Sequence, residues 1–112
     1  MNRLFRGDAG RVRQVLGIFA TSTRQDLERL DTAYASQDWS TVGSLAHKMK
    51  SGCQQLGEAA AARGLAAIEL GVHGEAGGRA IAEEFAATRL ELDAVMMRVA
   101  AYLDNEDEAG GK

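Results

Sequence analysis

The chain has 112 residues with 46% hydrophobic and 26% charged side chains, which is room for one domain with a buried core and excludes both a two-domain protein and general disorder. A formal charge of −3, with ten arginines scattered among sixteen acids, excludes the clustered basic surface that duplex nucleic acid requires. Twenty alanines, thirteen glycines, no proline and only 5% aromatics favour closely approaching helices over a β-sandwich.

After a short N-terminal segment, Asp8 is placed to cap a long helix whose apolar stripe is Val12, Val15, Leu16, Phe19, Leu27, Leu30 and Tyr34. Ser36-Gln37-Asp38 interrupts that periodicity, and Asp38 ahead of Trp39-Ser40-Thr41 predicts the cap of a second helix. Its stripe is Val42, Leu45, Ala46, Met49, Cys53 and Leu56, and Gly57 predicts its end. A third helix carries Ala61, Leu65, Ile68 and Val72 and runs into a glycine-rich loop predicted over Gly71 to Gly78. The fourth carries Ile81, Phe85, Thr88, Leu92, Val95, Val99 and Tyr102. The domain is therefore expected over residues 1–104, with 105–112 as a flexible acidic and glycine-containing tail. Short connections make consecutive helices antiparallel neighbours, so the predicted fold is all-α, an antiparallel up-down-up-down four-helix bundle.

The chemistry concentrates on the second helix. At 100° per residue from Val42, its apolar residues fall within about 60° of the core direction, whereas His47 points about 140° away, toward water. Gly43, Lys50 and Gln54 flank it at about 80° to 120°, and Ser44 and Ser51 at about 180° to 200°. A neutral imidazole has a free lone pair near pH 7 and can attack phosphorus without a separate base. Lys50 is placed to offset phosphoryl charge, and Gln54 to hydrogen-bond the ring or the phosphoryl oxygens.

Other chemistries fit less well. The lone Cys53 faces the core, about 120° from His47, which makes a poor Cys-His pair and leaves no disulfide or Cys-x-x-Cys site. His73, between Val72 and Gly74, reads as an exposed side chain without a role. No zinc-ligand spacing and no phosphate-binding glycine loop occurs. There is no apolar run of about 20 residues and no signal-peptide pattern at the N-terminus, so a cytoplasmic location without membrane contact is expected.

The string Ala46-His47-Lys48-Met49-Lys50-Ser51-Gly52-Cys53-Gln54-Gln55-Leu56-Gly57 resembles the signature of histidine-containing phosphotransfer (HPt) domains, approximately Ala-His-x-Leu-Lys-Gly-x-x-x-x-Leu-Gly. Leu4-Phe5-Arg6-Gly7-Asp8 and Asp38-Trp39 extend the similarity to nearly the whole chain. The resemblance implies that His47 accepts a phosphoryl group from an aspartyl phosphate on one response-regulator receiver domain and passes it to an aspartate on another. It also implies that Lys50 assists, that no ATP is bound, and that any Mg²⁺ arrives with the receiver, so the chain needs no cofactor of its own. Gly43, Ser44 and Ser51 would form the receiver-docking surface. The family glycine four residues after the histidine is replaced here by Ser51, with the glycine displaced to Gly52, which bears on the range of receivers served.

Two other classes compete with this reading. A histidine-kinase dimerisation helix usually follows its histidine with an acid and then a proline, whereas Lys48 follows His47 and proline is absent. A helical scaffold module would carry His47 incidentally and ignore a phosphorylated receiver. The expected form is a monomer, either free-standing or, as the acidic end favours, the terminal domain of a hybrid sensor kinase.

Overall fold

Helix α1 spans Ala9–Ala35, α2 Trp39–Gln55, α3 Ala59–Val72 and α4 Ala82–Gly110. The computed structural model describes residues 9–74 and 81–110, with side chains over 10–74 and 81–104. The expected cap Asp8, the N-terminal segment, most of the glycine-rich connection and residues 111–112 lie outside the described residues.

The turns between helices follow from a few residues. At the end of α1, Gln37 takes a left-handed φ of 58° and the Asp38 amide donates to the Ala33 carbonyl at 2.9 Å, so the chain reverses in a Schellman-type turn. Asp38 then starts α2, its carboxylate accepting from the Thr41 amide at 3.3 Å and the Thr41 hydroxyl at 2.7 Å. Asp38→Ala is expected to lower stability by about 1 kcal/mol, read from the denaturant midpoint; an unchanged midpoint would show that the cap contributes nothing. At the other end of α2, Gly57 with φ 76° lets the Glu58 amide reach Cys53 O at 2.9 Å and the Gly57 amide reach Gln54 O at 3.1 Å, as the sequence predicts.

Neighbouring helices run antiparallel in a closed ring. Lys48 of α2 meets Asp26 of α1, Lys50 of α2 meets Glu69 of α3, Arg98 of α4 meets Glu58 at the N-cap of α3, and Arg89 of α4 forks onto Asp31 of α1. The predicted four-helix bundle is thus the observed one. Most of the predicted stripes form its core: Val12, Leu16, Leu27 and Leu30 from α1, the six stripe residues at α2, Ala61, Leu65 and Ile68 from α3, and Ile81, Leu92, Val95 and Val99 around α4 are buried, while Val15, Phe19, Tyr34, Val72, Phe85 and Tyr102 are only partly so. Tyr34 stacks on Phe85 with centroids 3.9 Å apart and meets Trp39 edge-on at 5.6 Å, closing one end with aromatic contacts.

Two boundaries differ from the sequence reading. Gly71 belongs to α3 rather than to the loop, and Ile81 packs where a side chain on Gly71 would stand. Position 71 therefore needs close approach, not backbone freedom. The second difference is at the C-terminus, where α4 continues to Gly110 instead of ending at Asp104. The acidic run after Asp104 holds no glycine or proline before Gly110, so nothing in it breaks the backbone pattern.

Candidate functional site

The buried face of α2 fixes its outer face. Val42 and Ala46 are wholly buried, and on one flank Gly52 lies against the Phe19 ring of α1, which a Cβ on Gly52 would meet at 3.4 Å. Lys48 binds both oxygens of the buried Asp26 carboxylate, at 3.1 and 3.0 Å. These contacts pin α2 against α1 with His47 on the opposite ridge, its side chain 65% exposed.

What orients the ring is Glu69 of α3. Its Oε2 lies 2.8 Å from His47 Nδ1, and its Oε1 accepts from Lys50 Nζ at 3.0 Å. The Glu69 carboxyl is held below the usual carboxylate range, chiefly by the Lys50 hydrogen bond and then by His47, with partial burial opposing them. A carboxylate held low stays ionised at neutral pH and loses both contacts only as the pH falls through its lowered value. An ionised carboxylate accepts the Nδ1 proton, so in the neutral ring the lone pair is on Nε2.

The other expected site residues separate. Lys50 is half-buried in the α2/α3 seam and reaches Glu69, which in turn holds His47. Ser44 and Ser51 are exposed beside His47, as expected. Gly43 is not on an open docking face: it is buried, covered by Val72 and His73. The helical wheel places it correctly at about 100°, but α3 covers that angle. Gln54 does not hold the ring. It makes no bond to His47; it lies about 10 Å farther along the axis, in a hollow with Ala62, Arg63 and Ala66, and the bond to the ring comes from Glu69 instead. The signal for Glu69 is present in the sequence, since it is the one acid in α3 and borders the buried stripe.

The remaining nucleophile is inert. Burial, helped by Glu58, pushes the Cys53 thiol up to about 11, so it stays protonated at neutral pH. Among the described residues no group of three or more His, Cys, Asp or Glu side chains is placed to hold a metal ion, and no helix is long and apolar enough to cross a membrane.

A helical bundle that presents one imidazole on its outer ridge, held by a carboxylate through Nδ1 and bordered by a lysine, has the form of a phosphoryl carrier. The Hpt domain family model matches residues 14–105, and the chain belongs to the Hpt domain family. Histidine phosphotransfer in phosphorelay signalling is the function of that family, and response-regulator receiver domains are its partners. No curated protein and no solved structure matches the chain.

Proposed function

We propose that His47 Nε2 is the atom that accepts and releases the phosphoryl group. The observation that carries this is the Glu69 bond to Nδ1 at 2.8 Å, which puts the lone pair of the neutral ring on Nε2 in a side chain that is 65% exposed. The Nε2 lone pair attacks phosphorus of a receiver aspartyl phosphate, the N–P bond forms, and the P–O bond to the aspartate breaks with its electron pair leaving on the carboxylate. The ring becomes cationic and keeps its Nδ1 proton, which Glu69 stabilises. Transfer to a second receiver reverses these steps. Lys50 faces the developing phosphoryl charge, and any Mg²⁺ belongs to the receiver.

The receiver docks over Ser44 and Ser51. Beyond Ser51, this ridge continues into a groove between α1 and α2 lined by Val15, Ile18, Phe19, Gly52 and Gln55, and Ile18 is 64% exposed there. We read the chain as a cytoplasmic monomer, or as the terminal domain of a hybrid sensor kinase.

The test is transfer from a receiver domain charged with acetyl phosphate, which should yield an acid-labile, base-stable phosphoprotein; a panel of charged receivers leaving the chain unlabelled would refute the assignment. In the same assay Lys50→Ala should slow transfer by about tenfold, the equivalent of one charge-assisted hydrogen bond. Its stability should fall by about 1 kcal/mol, because half-buried Glu69 loses its bond to Lys50. An unchanged rate would remove Lys50 from the site.

A further inference from the structure

The charges around His47 are nearly cancelled in pairs. Lys50 is bound to Glu69 and Lys48 to Asp26, so a phosphoryl group arriving with close to two negative charges meets little net positive charge from α2. It also meets Glu69 itself, an anion on the same ring. A further donor within reach would offset that deficit.

His73 is in position to be that donor. It follows α3 as its C-cap residue, one turn beyond Glu69 and on the same side of the helix. A Cβ placed on Gly43 would stand 3.8 Å from His73 Nε2 and 3.0 Å from Val72 Cγ2, so the end of α3 lies in close contact with α2 at this position. Gly43 precedes His47 by one turn, and residues so spaced have Cβ atoms about 5–6 Å apart. The antiparallel seam therefore has two rungs: Glu69 opposite His47, and His73 opposite Gly43. Lys50 borders His47 from one end of the seam and His73 from the other. The His73 side chain is exposed and makes no hydrogen bond among the described residues. Arg63, the other basic side chain of α3, lies about 9 Å along the axis from Glu69 on the side away from His73.

We propose that His73 contacts the transferred group: its imidazole N–H donates to an oxygen of the phosphoryl group carried on His47, from the side opposite Lys50. An imidazole has an N–H to donate in either charge state. This rests on His47 as the acceptor, and it gives the chain a second histidine whose role is to hold the phosphoryl group, not to receive it.

The full chain, with its histidine rings labelled with ¹⁵N, is phosphorylated by an acetyl-phosphate-charged receiver, and the rings are followed by NMR while transfer rates are measured for His73→Ala and His73→Arg. The His73 ring nitrogens should shift when His47 is phosphorylated. His73→Ala should slow transfer by about tenfold with melting unchanged, and His73→Arg, which restores a donor, should recover the rate to within about threefold. A His73 ring unmoved by phosphorylation, or a His73→Ala protein transferring at the parental rate, overturns the proposal while leaving His47 as acceptor. A parent protein that takes up no phosphate overturns both.

Discussion

Replacing His47 with glutamine should abolish phosphoryl uptake entirely, a loss of at least a thousandfold that reaches the background of the assay. No other described group can take its place. Cys53 is buried with its thiol pushed up to about 11, and His73 has no carboxylate bound to its ring. Glutamine retains a polar side chain of similar reach but has no basic nitrogen, since its amide lone pair is delocalised. The His47 ring is largely exposed, so its removal empties no cavity, and the stability should change by no more than a surface substitution allows, about 0.5 kcal/mol. Labelling of His47→Gln at the parental level would transfer the chemistry to another residue.

Leu65→Ala should give the opposite pattern. Leu65 is fully buried at the middle of α3, and truncating such a leucine costs about 2–5 kcal/mol through lost burial and the cavity left behind. A domain of this size has a total stability of only about 5–15 kcal/mol, so the melting temperature should fall by about 10 °C or more. Below the new transition His47 should still take up phosphate, because the Glu69 and Lys50 contacts lie on the outer side of the seam. A shift of less than about 2 °C would mean that α3 is not packed into the core as described.

The contrast between these variants also explains what was legible in the sequence. Burial repeats with the helical period, so Val42, Ala46, Met49 and Cys53 could be assigned to the core and His47 to the outside from spacing alone. Caps are local chemistry, and Asp38 and Gly57 were equally readable. Contacts between helices are not periodic. A wheel drawn for α2 gives the direction of Gly43 and Gln54 but not whether α3 covers that direction, so Gly43 read as exposed when Val72 and His73 lie over it. For the same reason Gln54, on the same helix as His47, drew the role that Glu69 performs from the neighbouring one. Gly71 read as a loop residue because glycine serves both turns and close packing, and only the position of Ile81 separates the two uses.

The chemistry depends on which ring nitrogen is free, and this can be observed directly. Phosphorylated protein labelled with ¹⁵N in its histidine rings, examined by ³¹P–¹⁵N correlation, should show one phosphorus bonded to His47 Nε2, with Nδ1 protonated and its proton shifted downfield by Glu69. Phosphorus on Nδ1 would contradict the orientation that Glu69 imposes, and phosphorus on His73 would contradict His47 as the acceptor.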